Sequence, residues 1–273
     1  MSRFVDLGTP ALLEFRGPDA VRFLNGQLTQ DVRKAAGGKL TLPSCVTDAK
    51  GKLQFRIRIT EGPDGALWIE EPEGRAEDLE ARITRYLIAD DVEVSDLTGK
   101  FHLFHIIGET PEAPEGTFSR VSNRYGVEGT DCWLPAGASL PAGIEPFDPA
   151  TLESLRISNG IPAWGSELVE GMLPPEAALE ETDISYHKGC YIGQEVISRI
   201  KSAGKVNKRL TRFTLDASVP VVPGPLENGA GELTSISSIA EDGIRHALGY
   251  MKRGAGDLSI RAEDGTVHPL RVS

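Results

Sequence analysis

Cys190 is the residue whose type and neighbours in this sequence best suit reactive thiol chemistry. It lies two residues after Lys188 and just before a predicted helix. Free N–H groups in a first helical turn and a nearby ammonium both favour negative charge, so they would stabilise the thiolate, the reactive form of a thiol. A free cysteine is also among the residues most often buried as a small apolar side chain. The local sequence therefore predicts either a reactive thiol or a packed one.

Two glycines and an amphipathic helix are expected to position this cysteine. Gly189 and Gly193 permit left-handed or closely approached backbone conformations that a Cβ would block. Apolar side chains then recur at helical spacing, and they are Val196, Ile197 and Ile200. We therefore expect Cys190 on a bend that precedes a helix.

Basic residues are concentrated near this segment although the chain as a whole is acidic. The formal net charge is −11 at pH 7, which argues against direct nucleic-acid binding. Residues 187–212 nevertheless hold a basic island, whose members are Lys188, Arg199, Lys201, Lys205, Lys208, Arg209 and Arg212. Such an island suits an anionic ligand or an acidic partner, and it is equally compatible with a solvated basic face.

The segment from Lys188 to Glu195 resembles the signature of the YgfZ-type folate-binding proteins. It reads Lys-Gly-Cys-Tyr-x-Gly-Gln-Glu and is followed by Arg199. That family is related to the glycine-cleavage T-protein, an aminomethyltransferase, and is implicated in iron–sulfur cluster assembly or repair. Further similar segments lie at residues 16–20, 23–32, 155–157 and 160–162. The resemblance implies chemistry at Cys190, with Lys188 beside it, in a motif whose other members are Gly189, Gly193, Gln194 and Glu195.

The same resemblance implies a site for tetrahydrofolate or another folate derivative. Glu176 lies in a segment similar to the one whose glutamate holds the pterin in T-proteins, and one carboxylate can accept hydrogen bonds from adjacent N–H donors of a pterin. The alternative for Glu176 is a turn glutamate in solvent. The other residues expected to contact the ligand are Tyr191, Arg199, Lys205, Arg209, Asn25 and Gln27.

One departure from the T-protein pattern bears on catalysis. T-proteins carry a catalytic aspartate on the strand that follows a glycine turn, and the equivalent positions here are Phe55 and Arg56. Their second motif has an aspartate before its aromatic residue, where this chain has Cys190 before Tyr191. Compared with T-proteins, this chain lacks a carboxylate and has an additional thiol. This difference favours thiol-dependent chemistry over aminomethyl transfer and leaves open whether the protein is an enzyme.

From the resemblance we expect a tetrahydrofolate-binding accessory protein of iron–sulfur cluster assembly or repair that supports tRNA modification. Its partners would be folate and iron–sulfur proteins or assembly factors. Two alternatives stay open. One is a tetrahydrofolate-dependent aminomethyl or one-carbon transferase, and the other is a non-catalytic interaction module.

The composition of the chain argues against a metal cofactor and against a location in or across a membrane. Three scattered cysteines form no Cys-x-x-Cys pair, and His102 and His105 would point to opposite faces of a strand, so no metal site is expected. No apolar run approaches the roughly 20 residues that span a bilayer, and the N-terminus lacks the pattern of a signal peptide. We therefore expect a cytoplasmic protein without a membrane partner.

The hydrophobic pattern predicts an α+β fold. Along residues 53–60 apolar and polar residues alternate, which indicates a strand with one wet face, and helical and strand patterns follow one another up to about residue 204. The T-protein resemblance implies two intertwined antiparallel α+β subdomains followed by a β-barrel. We expect the folate-binding α+β region at residues 1–204 and the C-terminal β-barrel at residues 205–273.

Overall fold

The computed structural model describes residues 2–110, 112, 114–204 and 206–273, and these form two compact units. The first unit comprises Met1–Phe147 and Glu180–Ser198, and the second comprises Asp148–Leu179 and Arg199–Ser273. The chain therefore leaves the first unit, returns to it for the segment that carries Cys190, and ends in the second.

The first unit contains two five-stranded sheets. Its strands are β1 (Arg3–Asp6), β2 (Ala11–Arg16), β3 (Leu42–Thr47), β4 (Leu53–Glu61), β5 (Leu67–Glu71), β6 (Glu93–Asp96), β7 (Phe101–Ile107), β8 (Phe118–Ser122), β9 (Gly129–Pro135) and β10 (Glu145–Pro146). One sheet has the strand order β3-β4-β5-β2-β6 and the other β10-β1-β7-β9-β8. The β1/β10 pair is parallel, and the other described strand pairs of this unit are antiparallel.

Two helices of the first unit, α1 (Ala20–Gln27) and α2 (Ala76–Thr84), share one apolar core with the sheet that contains β4. The alternation predicted for β4 is confirmed, because Leu53, Phe55, Ile57 and Ile59 are buried on one face. Leu24 of α1 and Leu79 of α2 belong to the same buried cluster. The opposite face of β4 carries its polar side chains.

The second unit contains a five-stranded antiparallel sheet and a two-stranded ribbon. Its strands are β11 (Lys208–Asp216), β12 (Gly224–Pro225), β13 (Gly231–Glu241), β14 (Ile244–Lys252), β15 (Ser259–Arg261), β16 (Val267–Pro269) and β17 (Arg271–Val272). The sheet order is β12-β13-β14-β11-β17, and β15 pairs with β16. Helix α3 (Pro149–Ser158) also belongs to this unit, whereas helix α4 (Gln194–Ala203) begins in the first unit and ends in the second.

Buried polar contacts join α3 to the C-terminal sheet. Arg156 donates to Ser235 Oγ and to Glu167 Oε2, each at 3.0 Å. Ser237 donates to Ser154 Oγ at 2.9 Å. These contacts explain why residues 148–179 group with the C-terminal strands. The predicted boundary between residues 204 and 205 and the closure of these strands into a barrel stay predictions.

The mixture of helices and antiparallel sheets is that of the predicted α+β class. No helix in the described part of the chain is both long and apolar enough to cross a lipid bilayer.

Candidate functional site

Cys190 lies on an exposed turn of the first unit, whereas Cys45 and Cys132 are buried. Its neighbour Tyr191 is buried in a small apolar cluster with Ile184 and Ile197. The turn is therefore anchored by the ring of Tyr191 and presents the thiol outward. This placement excludes the packed alternative for Cys190.

Lys188 joins this turn to the end of helix α1. Its ammonium donates to the backbone carbonyls of Asn25 (2.7 Å), Leu28 (2.6 Å) and Gln30 (2.7 Å). A lysine ammonium has three donors, so all of them are used, and the acceptors lie where a helix end leaves carbonyls without intrahelical partners. Lys188 thus positions the turn, and its expected contribution to a thiolate at Cys190 stays a prediction.

The ammonium of Lys188 is half-buried, and this burial lowers its pKa to about 7. The negative charge of Asp31 acts in the opposite direction, and Arg33 adds to the lowering. The ammonium form retains one more N–H donor than the neutral amine, so the three carbonyls favour it. The backbone carbonyls therefore support a charge that desolvation opposes, and desolvation is the larger effect on the pKa.

We expect the contribution of Lys188 to the free energy of unfolding to rise as the pH increases from about 7 to about 10. Its folded-state pKa of about 7 lies below the value of about 10.4 for an unfolded lysine. Between these values the unfolded chain binds more protons, so raising the pH favours the folded state. Urea unfolding of wild type and Lys188→Met across this range measures the difference. Parallel pH profiles of the two proteins would contradict the expectation.

Gly193 packs against the turn that connects β3 to β4. Its φ is +87°, and a Cβ there would lie 2.6 Å from Asp48 O and 2.8 Å from Gly51 Cα. The Thr47 hydroxyl donates to Ile192 O at 2.6 Å, which adds a hydrogen bond between the same two segments. The left-handed, closely approached backbone predicted for Gly193 is confirmed, and α4 begins immediately after it.

Gly189 does not share this constraint. Its φ is outside the left-handed region, and a Cβ there would have only Asn25 Nδ2 nearby, at 4.0 Å. The expectation that Gly189 needs a special conformation or a close approach was wrong, because the turn is fixed by Lys188 and Gly193 on either side of the thiol.

Substitution of these two glycines by alanine therefore gives a matched test. Gly193→Ala should lower the free energy of unfolding by about 2 kcal/mol or more, because a left-handed alanine and a clash with backbone both cost free energy. Gly189→Ala should change it by less than about 0.5 kcal/mol. Chemical denaturation of both variants measures this, and equal losses would show that the packing of Gly193 is not what holds the turn.

The predicted ligand residues of helix α1 are already engaged within the first unit. Asn25 Oδ1 accepts from the N–H of Val32 at 3.2 Å. Gln27 is buried, and its Oε1 accepts from Arg82 of α2 at 3.2 Å. Their role toward a ligand stays a prediction.

Tyr191 offers a group that a ligand could use. Its hydroxyl is buried and has no hydrogen-bond partner among the described residues, and burial raises the pKa of Tyr191. Lys188 Nζ lies 5.2 Å from the centroid of the ring. The motif residues Gln194 and Glu195 form the first turn of α4, where the N–H of Gln194 donates to Tyr191 O at 3.2 Å.

Arg56 on the polar face of β4 forms a buried salt bridge with Asp183. Its Nε and Nη2 donate to Asp183 Oδ2 (3.0 Å) and Oδ1 (3.1 Å), and the side chain of Asp183 is fully buried. The hydroxyl of Thr29 donates to the carbonyl of Asp183 at 2.6 Å. Sequence reasoning missed Asp183, because it lies 127 positions from Arg56 and no local pattern marks it.

The polar face of β4 does not face open solvent as expected. It belongs to a polar layer inside the first unit, formed by Arg56, Arg58, Glu70, His105, Arg124, Asp131 and Asp183. Arg124 connects the two sheets, since it pairs with Glu70 of β5 and with Asp131 of β9. The expectation of a wet face was wrong because charged groups of the second sheet and of the segment that follows residue 180 cover it.

In the second unit, Glu176 lies on a short 3-10 helix, Pro174–Ala177. It is half-buried, and its Oε2 accepts from the N–H of Leu173 at 3.3 Å, which caps that helix. Ala178, with a φ of +58°, ends the turn. Glu176 is therefore a partly enclosed carboxylate rather than a glutamate free in solvent.

Two members of the basic island, Lys208 and Arg212, make contacts within the second unit. Lys208 is 3.7 Å from Glu232, with its Nζ 4.2 Å from the centroid of the Tyr250 ring. Arg212 donates to the carbonyl of Ser158 at 3.2 Å. The remaining predicted ligand residues of this island are Arg199 and Arg209, which are exposed, and Lys205, which lies outside the described residues.

The predicted site residues are thus divided between the units. The first unit holds Cys190, Lys188, Tyr191, Asn25 and Gln27, and the second holds Glu176, Arg199 and Arg209. Within the described ranges, no group of three or more histidine, cysteine, aspartate or glutamate side chains is arranged to hold a metal ion.

Comparison with known proteins relates the chain to two groups of relatives. The tRNA-modifying protein YgfZ of Escherichia coli is 29% identical over 248 residues, which cover 81% of this chain and 75% of that protein. An aminomethyltransferase of Rubrobacter xylanophilus is 28% identical over 236 residues, which cover 74% of this chain and 62% of that protein. No family model matches the chain.

Among solved structures, glycine cleavage system aminomethyltransferase T from Bartonella henselae matches with a TM-score of 0.80. The match covers 99% of this chain and 84% of that chain at 17% identity. At this identity the likeness shows the fold alone, and it confirms the predicted fold class.

Proposed function

The chain belongs to the superfamily that unites YgfZ proteins with aminomethyltransferases, and from this premise we propose that it is a tetrahydrofolate-binding accessory protein of iron–sulfur cluster assembly or repair. Cys190 supplies the reactive thiol. Its partners are folate and iron–sulfur proteins or assembly factors. Because a relative is named a tRNA-modifying protein, the proposal includes support of tRNA modification.

The observation that carries the proposal is the exposed thiol of Cys190 on a turn fixed on both sides. Lys188 fixes the turn to helix α1, and Gly193 fixes it to the β3–β4 turn. A thiol on a rigid, accessible turn can meet a macromolecular partner or a bound small molecule without rearrangement of the backbone. A cysteine kept for packing alone would be buried, as Cys45 and Cys132 are.

The position that resembles the T-protein catalytic aspartate supports this choice over the transferase. Phe55 and Arg56 stand at the equivalent positions, and both oxygens of Asp183 accept hydrogen bonds from the Arg56 guanidinium. No free carboxylate is therefore present at that point of β4. One observation favours the transferase as a second candidate, since Glu176 is a half-buried carboxylate of the kind that holds a pterin.

The chain's residues fit a folate in two respects, each within its own unit. In the first unit the buried hydroxyl of Tyr191 lacks a partner among the described residues. In the second unit, Glu176 uses only Oε2 for its helix cap, among the contacts described. Tetrahydrofolate carries N–H groups and polar ring atoms that could meet a hydroxyl and a carboxylate. Bound folate would supply or accept one-carbon units.

We expect Cys190→Ser to abolish support of iron–sulfur enzymes in cells that lack the endogenous protein. The exposed side chain contributes little packing, so the variant should keep its thermal midpoint. Complementation together with thermal melts measures both properties, with Cys132→Ser as the control for a buried thiol. A Cys190→Ser variant that complements fully would refute the role of the thiol.

We expect Glu176→Gln to weaken tetrahydrofolate binding by about 1.5–3 kcal/mol, because it removes the charge of a hydrogen-bonded carboxylate. The amide oxygen can still cap the short helix, so the fold is retained. Glu170→Gln, at an exposed glutamate of the same segment, is the matched control.

Isothermal titration with tetrahydrofolate measures these affinities. Absence of binding by wild type, or an unchanged affinity in Glu176→Gln, would contradict the assignment of Glu176 to a folate-binding pocket. Formaldehyde-dependent turnover with an aminomethyl donor, measured on the same samples, would instead establish the transferase.

A further inference from the structure

A cleft of about 430 Å³ lies within the second unit, beside the C-terminal end of strand β11. Its volume is in the range of about 300–1,000 Å³ that small-molecule sites occupy. The wall combines charged with apolar residues, and it includes Asp216, Arg271, Leu215, Val219, Ile244 and Pro269. None of its lining residues is among those assigned to folate or to thiol chemistry.

Asp216 places a carboxylate in this cleft. The N–H and the hydroxyl of Ser218 both donate to its Oδ1, at 2.8 and 2.6 Å. These hydrogen bonds lower the pKa of Asp216, and the nearby His268 adds to the lowering, so the carboxylate is charged at neutral pH. No hydrogen bond to Oδ2 occurs in the part of the chain that the structure describes. The cleft therefore holds an anion that its own turn orients and that keeps one oxygen for another donor.

Arg271 of β17 places a guanidinium in the same cleft. Arg271 is the strand partner of Thr214, and Thr214 and Asp216 project from one face of β11 because strand residues two positions apart do so. The two charged side chains nevertheless form no ion pair with each other. Among the described residues the Arg271 side chain has no hydrogen-bond or ion-pair partner. The cleft thus separates a carboxylate from a guanidinium, and each keeps hydrogen-bonding capacity.

Apolar side chains lie next to these two charges. Ile244 is the strand partner of Asp216 and is 40% exposed, although most isoleucines are buried. Pro269 is exposed as well, whereas Leu215 and Val219 are buried. A hydrocarbon group bound in the cleft would remove apolar surface of Ile244 from water, which is favourable in proportion to the area covered.

We propose that this cleft binds a free amino acid with an apolar side chain. The ammonium group of the ligand pairs with Asp216, its carboxylate pairs with Arg271, and its side chain covers Ile244. A guanidinium presents paired donors that match the two oxygens of a carboxylate, and hydrogen bonds between charged groups are the stronger ones. A zwitterion provides partners for both charges of the cleft, whereas a simple anion or cation provides a partner for one. The site is additional to the folate proposal and does not depend on it.

Leucine and three analogues test which parts of the ligand the cleft recognises. Isothermal titration at pH 7 and constant ionic strength should show saturable binding of leucine at one site. 4-Methylpentanoate lacks the ammonium group, 3-methylbutylamine lacks the carboxylate, and glycine lacks the apolar side chain. Each analogue should bind at least about 10-fold more weakly than leucine, because each loses a charge-assisted contact or the apolar contact.

Two variants locate the binding in the cleft. Asp216→Asn keeps an oxygen that can accept the hydrogen bonds of Ser218 but removes the charge, and Arg271→Gln removes the guanidinium; each should weaken leucine binding at least about 10-fold. The matched controls Asp257→Asn and Arg253→Gln, at exposed residues of the same unit outside the cleft, should bind leucine as wild type does. No saturable binding of leucine by wild type, equal binding of leucine and its analogues, or an unchanged affinity in either cleft variant would overturn the proposal.

Discussion

The contact between the Lys188 ammonium and three backbone carbonyls is the constraint on which the thiol site depends. An ammonium that leaves water is tolerated only when its donors are satisfied, and Asn25, Leu28 and Gln30 satisfy them. The same bonds provide partners for carbonyls at the end of helix α1. Since Lys188 is two residues from Cys190, this one contact fixes an exposed thiol to the core of the first unit.

In the polar layer, hydrogen-bonded carboxylates likewise satisfy the donors of Arg124 and Arg56. Arg124 is surrounded by two carboxylates, and Arg56 is paired with a third. These pairs hold the two sheets and the returning segment together from within. Arg58 Nη1 and His105 Nε2 lack hydrogen-bond partners among the described members of the layer. The first unit thus combines a buried set of paired charges with an exposed thiol.

Local spacing was sufficient to predict some of these features. The helix after Gly193 and the left-handed turn follow from glycine and apolar periodicity, and both are confirmed. The acceptors of Lys188 were not predictable, because backbone carbonyls carry no side-chain signature. Asp183 was missed because its pairing with Arg56 joins distant parts of the chain. Gly189 was misjudged, since the presence of a glycine does not show that the fold requires one.

The most direct test of the central claim keeps the thiol of Cys190 and removes the hydrogen bonds that hold its turn in place. Lys188→Met retains Cys190 but loses the bonds to the end of helix α1. If the position of the thiol is what matters, this variant should fold, keep an alkylatable Cys190, and fail to support iron–sulfur enzymes in a complementation assay. Full complementation by a folded Lys188→Met protein would contradict the account.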